Sequence, residues 1–223
     1  VPELKRAVTG FYREALALDY PQDGILVAGG ARPLIYALFR AVLDAGEKVV
    51  YPVPSWNNNH YCHLAGAVGV AVETSAETGF QPTAGCLAPH LADARLLALN
   101  SPLNPAGTGF AREQLKAIAQ LVVDENRRRG PAAKPLFLLY DQIYWLLADD
   151  SAPHITPVEL VPEVAPYTLM IDGISKAFAA TGLRVGWAIG PPFLISRMKD
   201  FLGHVGACAP RPEQVATAEL IAD

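Results

Sequence analysis

Cysteine is scarce in this chain and scattered. Only Cys62, Cys86 and Cys208 are present. An odd number at wide spacing gives neither a disulfide framework nor a metal-ligand pattern, and it favours a reducing, cytoplasmic setting. No metal is expected. Long apolar runs are missing too. Nothing approaches the roughly 20 residues needed to cross a bilayer, and no signal-peptide pattern opens the chain, so no membrane association is expected. Basic charge is not concentrated either. The net charge is -4, and the one basic run, Arg127-Arg128-Arg129, closes a helix-like stretch where cations are favoured. Those arginines are expected to be solvated, and without a broad basic face no nucleic-acid partner is expected. Compositional extremes are absent as well: 51% of residues are apolar and 18% charged, an ordinary globular balance.

What is there is alternation. Pro2 to Leu16 has a helical period with proline near its first position. Gly24 to Ala28 is a short apolar run, followed by Gly29-Gly30 and a helical stretch from Ala31 to Ala45. Strand-like segments recur at Lys48 to Tyr51, Val68 to Glu73, Ala94 to Asn100, Leu136 to Tyr140, Tyr167 to Asp172 and Val185 to Ile189. Helical segments are read at Asn57 to Ala65, Arg112 to Arg128, from Pro192 to Phe201, and from Pro212 to Asp223. Asp149 to Val164, rich in proline and polar residues, reads as a surface loop. Strand-helix alternation with apolar strands predicts an α/β fold: a three-layer, doubly wound, mostly parallel sheet. The link between the last two strands is too short for a crossover helix, so one antiparallel strand is expected.

In such sheets ligands bind beyond the carboxyl ends of the strands, and five loops there carry unusual residues. Ala28-Gly29-Gly30-Ala31 lets backbone approach a ligand, and the amides of a helix start can hold an anion. Trp56, in Tyr51-Pro52-Val53-Pro54-Ser55-Trp56, can stack on a flat heterocycle. Asn100-Ser101-Pro102-Leu103-Asn104-Pro105-Ala106-Gly107-Thr108 packs two asparagine turns into one loop. Asp141 ends a fully apolar strand and needs a cation or donors; Tyr144 would share its face if a helical turn follows. Lys176 stands in Gly173-Ile174-Ser175-Lys176-Ala177-Phe178-Ala179-Ala180-Thr181-Gly182-Leu183-Arg184. A lysine is expensive to bury and readily loses its proton there, which suits a Schiff-base amine. Taken singly, each feature has a plain alternative: a tight turn, a packed tryptophan, an Asn-Pro loop, an N-cap aspartate, a surface lysine.

Together, in this order and spacing, the five resemble the class I/II aminotransferases, the fold-type I pyridoxal-phosphate enzymes. The run from Ser175 to Trp187, with Lys176 and Arg184 eight apart, is the most specific, and the resemblance extends from Pro2 to about Phe201. It implies a cofactor, pyridoxal 5'-phosphate, joined to Lys176 as a Schiff base, with Lys176 also moving the substrate's alpha proton. Asp141 would pair with the ring nitrogen, Tyr144 and Asn104 with the ring oxygen. Trp56 would cover the ring, Arg184 would grip the phosphate, and the amides of Gly30 and Ala31 would complete its cradle. The implied activity is amino-group transfer between an amino acid and a 2-oxo acid, with a pyridoxal-phosphate lyase or a non-catalytic regulator domain as alternatives. A homodimer is implied. Residues 1–223 would be the cofactor-binding large domain, with an N-terminal arm and a C-terminal small domain outside this chain. There are departures: Gly173 stands where the family often has a phosphate-binding serine, Ser175 does not obviously replace it, Gln142 stands for an acidic residue, and Ala31 for a hydroxyl residue. Asn57-Asn58-Asn59-His60 are candidates for a second layer around Asp141, and His204 and Arg211 for the neighbouring subunit's site.

Overall fold

The computed structural model describes residues 1–149 and 153–222. Seven strands form one sheet: β1 (Ile25–Ala28), β2 (Lys48–Val53), β3 (Val68–Glu73), β4 (Ala94–Asn100), β5 (Phe137–Asp141), β6 (Thr168–Gly173) and β7 (Gly186–Ile189). Their spatial order is β1-β7-β6-β5-β4-β2-β3. The neighbours β6/β5, β5/β4, β4/β2 and β2/β3 run parallel, and β7 runs antiparallel to both β1 and β6. The mostly parallel α/β sheet with one antiparallel strand is thus as expected.

Helices cover both faces, because strands apolar on both sides must be buried on both sides. On one face α1 (Pro2–Leu16), α4 (Ala84–Leu91), α5 (Arg112–Arg129) and α8 (Arg211–Leu220) enclose a core that includes Tyr12, Leu97, Tyr140 and Trp187. On the other, α2 (Ala31–Val42), α3 (Asn58–Ala65) and α7 (Pro192–Val205) enclose Leu38, Phe39, Val49, Leu139 and Met198. Each large apolar side chain fully removed from water contributes about 1.5–3 kcal/mol. Because side chains alternate along a strand, Leu139 and Ile171 face the α2 core while Tyr140 and Met170 face the α1 core.

Two expectations are corrected here. Residues 149–164 are not simply a surface loop: Pro157–Leu160 form a short helix, α6, capped by Thr156, whose Oγ1 accepts the Glu159 amide at 3.2 Å. Thr156 and Val158 are buried, so this segment belongs to the core edge. Residues 150–152 of it lie outside the described residues, as does Asp223, to which a last helix was expected to run; that helix spans Arg211–Leu220. The arginine run is also not uniformly solvated. Arg129 keeps only 8% of its side chain exposed, pairs with Glu125 at 2.7 Å and caps the carbonyls of Leu91 and Ala94, while Arg128 takes the same carboxylate at 2.8 Å. These cations are spent on the protein's own fold.

Candidate cofactor site

The carboxyl ends of the parallel strands all open at one edge of the sheet. Register aligns Asn100 with Asp141, Asp141 with Ile171, Gly173 with Gly186, and Gly186 with Ala28. The five loops singled out in the sequence therefore meet at that edge.

The glycine turn is built by contact. Gly30 caps α2 with φ 102° and no side-chain cap, and helix geometry leaves the first-turn amides without intrahelical acceptors. Arg184 lies against it: its Nη2 donates to the Gly29 carbonyl at 2.9 Å and its Nη1 to Thr181 at 2.6 Å. A Cβ on Gly30 would collide with the guanidinium, and one on Gly186 would stand 2.7 Å from the Gly30 carbonyl carbon. Strand β7, the helix start and Arg184 are pressed together so that only backbone fits. The same crowding explains a departure. A side chain at Gly173 would come within 2.7 Å of the Gly186 Cα and the Val185 carbonyl, so a serine there would have to push the paired strand away. The Ser175 carbonyl accepts Thr181 Oγ1 at 2.9 Å, which closes the lysine loop on itself.

Asp141 ends β5 on the α2 face, partly exposed. Desolvation pushes its pKa up to about 6, opposed by the Ile143 amide, which donates at 3.2 Å, and by the charge of Lys176. No helical turn follows it: residues 142–144 form a plain turn before a 3-10 turn at Trp145–Leu147. Tyr144 is nevertheless delivered to the site, where Asn104 Nδ2 donates to its hydroxyl at 3.2 Å. The two asparagines divide the work. Asn100 holds the loop, donating to the Asp141 carbonyl at 2.9 Å and accepting the Asn104 amide at 2.7 Å, and that leaves Asn104 to reach Tyr144.

Lys176 is exposed and not buried as its small, apolar neighbours suggested. Its Nζ lies 5.7 Å from the centre of the Tyr144 ring. Trp56 is also exposed, and Arg32 lies over it at 5.8 Å. Arg32 and Tyr61 were missed in the sequence. Both couple electrostatically to the site, Arg32 to Tyr61 and Tyr144, and Tyr61 to Asp141. The adjacency of Arg32 to the glycine turn was the available signal. Of the Asn57–His60 group, Asn59 and His60 point to solvent, as do His204 and Arg211.

A lysine, a carboxylate and an arginine-backed glycine turn thus stand together on one open edge of an α/β sheet. A sequence profile of the aminotransferase class I and II family matches residues 1–223. An aspartate aminotransferase of Bacillus sp. (strain YM-2) is 31% identical over 221 residues, 98% of this chain and 54% of that protein. The crystal structure of the aspartate aminotransferase from Rhizobium meliloti superposes with a TM-score of 0.93 at 29% identity, covering 100% of this chain and 54% of that one. The aspartate aminotransferase from Thermus thermophilus with maleate gives 0.90 at 30% identity, over 99% of this chain and 55% of that one. The chain belongs to the aminotransferase class I and II family. It spans about half the length of the curated relatives it matches.

Proposed function

We propose that the protein to which this chain belongs is a pyridoxal-phosphate-dependent aminotransferase, moving an amino group between an amino acid and a 2-oxo acid, with residues 1–223 as its cofactor-binding large domain. The observation that carries this is the cradle at Gly30 and Arg184, where an added Cβ has no room, in line along one edge with Asp141, the Asn104–Tyr144 pair and Lys176. The residues present fit the cofactor. Arg184 and the amides of Gly30 and Ala31 would hold a phosphate. Asp141 would hold the proton at the ring nitrogen, Asn104 and Tyr144 would hydrogen-bond the ring oxygen, and Trp56 would cover the ring. Bound there, pyridoxal phosphate would supply an electron sink for the substrate's alpha carbon.

The chain's own residues then account for the rest. Lys176 Nζ is the nucleophilic amine and the group that moves the alpha proton. It is exposed at the open edge, within reach of a cofactor and a substrate arriving from solvent. Asp141, desolvated and flanked by a single backbone donor, is a strong partner for a cationic N–H. We read the whole protein as a cytoplasmic homodimer. The free cysteines among the described residues support the reducing compartment. The relatives' printed substrate, aspartate, is the first to try. Mixed with L-aspartate and no oxo acid, the full-length protein is expected to release one equivalent of 2-oxo acid per site and then stop. Continuous release of ammonia together with pyruvate from an amino acid that carries a β leaving group, such as L-cysteine or L-serine, again with no oxo acid, would contradict transfer and support a lyase.

A further inference from the structure

One strand over from Asp141, and on the opposite face of the sheet, stands a second carboxylate that the proposed reaction does not use. Asp172 is 3% exposed. Its Oδ2 accepts the Tyr12 hydroxyl at 2.5 Å and Trp145 Nε1 at 2.6 Å, and its Oδ1 accepts the Gly173 amide at 2.7 Å. Those donors come from α1, from the turn that carries Tyr144, and from the start of the lysine loop. Tyr12 is itself saturated: its oxygen accepts Gln142 Nε2 at 3.1 Å and Trp187 Nε1 at 3.3 Å. Gln142 Oε1 in turn meets His154 Nε2 at 3.3 Å. A donor is thus needed at position 142, and the departure from an acidic residue there has a physical reason.

The donor inventory favours the charged form of Asp172. Tyr12 has one hydrogen to give, while Trp145 and Gly173 present donors only. A proton on Asp172 would face no free acceptor. Burial pushes its pKa up to about 7, and the donors from Tyr12, Gly173 and Trp145 pull the other way. The groups facing it are Tyr12 from α1, Trp145 and Gln142 from the turn after β5 (with His154 behind Gln142), Trp187 from β7, and the charge of Asp141. Among the described residues no lysine or arginine hydrogen-bonds to it.

We propose that Asp172 is a positioning residue for Lys176: a sealed carboxylate that ties the lysine loop to the Asp141–Tyr144 turn and to α1, and sets a second negative charge behind Asp141. The proposal rests on the pyridoxal phosphate reading above. The clamp orients the two loops. The charge strengthens the hold of Asp141 on a proton and so favours the cationic form of a cofactor bound against it.

Clamp and charge are tested separately in the full-length protein. Tyr12→Phe removes the shortest donor and keeps the charge. In the cofactor-free protein, hydrogen exchange at residues 143–145 and 174–177 is expected to quicken about tenfold, with α5 unchanged. Unchanged exchange there, or a uniform rise everywhere, overturns the clamp. In Asp172→Asn, either orientation of the amide points an N–H at a donor, and the charge is gone. In the cofactor-loaded protein the midpoint of the pH titration of the bound cofactor's absorbance is expected to fall by about half a pH unit or more, with Tyr12→Phe moving less than half as far. A wild-type midpoint in Asp172→Asn, or equal shifts in both variants, overturns the charge. Should Asp172→Asn not fold, the exchange experiment decides alone. Borohydride labelling of Lys176 in the unaltered protein tests the cofactor reading by itself, so either idea can fail without the other.

Discussion

Asp141 and Asp172 sit at the ends of adjacent strands and face opposite sides of the sheet, and they are satisfied in opposite ways. Asp172 is enclosed by three donors from three elements. Among the described residues Asp141 has one side-chain hydrogen bond, from the Ile143 amide, and it is partly exposed at the site edge. A carboxylate whose bonding is complete is a structural tie. One left incomplete in a desolvated setting is held ready for a cation that arrives with a ligand. On the proposed reading the fold uses one acid for rigidity and reserves the other for the cofactor.

Alanine at each position should separate the two roles most widely. Asp172→Ala strands the Tyr12, Trp145 and Gly173 donors and is expected to cost about 3–5 kcal/mol in urea unfolding. Asp141→Ala is expected to cost no stability at pH 7.5, because a desolvated charge is removed, yet turnover should fall about a thousandfold. Equal losses of stability would erase the distinction. Next in size is Gly30→Ala, which drives a methyl into Arg184; cofactor affinity should fall at least about tenfold, by equilibrium dialysis, with the sheet intact.

The pH dependence of the cofactor-free protein sharpens the comparison further. The folded-state pKa of Asp141 is raised, to about 6. Its contribution to stability is therefore full below the ordinary carboxylate range near 4 and is lost as pH rises through 6. Relative to Asp141→Asn, the wild-type protein should lose on the order of 1–2 kcal/mol between pH 4 and pH 7.5. A flat difference would mean that Asp141 is not desolvated. The smallest expected change is Tyr144→Phe, which removes the hydroxyl that Asn104 holds; turnover should fall about fivefold, with stability unchanged.

The open half of this comparison was legible in the sequence and the sealed half was not. Strands such as β5 are continuous apolar runs, and the site residues follow them in short loops, so position along the chain already places them at one edge. Asp172 was visible only as the end of a strand. Its partner Tyr12 lies 160 residues away, and the turn that brings Trp145 and Gln142 to it has no periodicity to read. The helix α4 was missed for a local reason: it has eight residues, with Gly85 and Pro89 inside, and is held by its Thr83 cap instead of a long apolar face. Gly173 and Gln142 looked like lost functional residues. In three dimensions each answers a contact, the crowding against Gly186 and the donor to Tyr12.

All of this depends on Lys176 being the residue that takes the cofactor. Loading the full-length protein with pyridoxal phosphate, reducing with borohydride and mapping the modified peptide by mass spectrometry tests that claim most directly. The expected result is one modified lysine, Lys176, and no stoichiometric adduct in Lys176→Ala. An adduct that persists in Lys176→Ala, or that maps to another lysine, would contradict it.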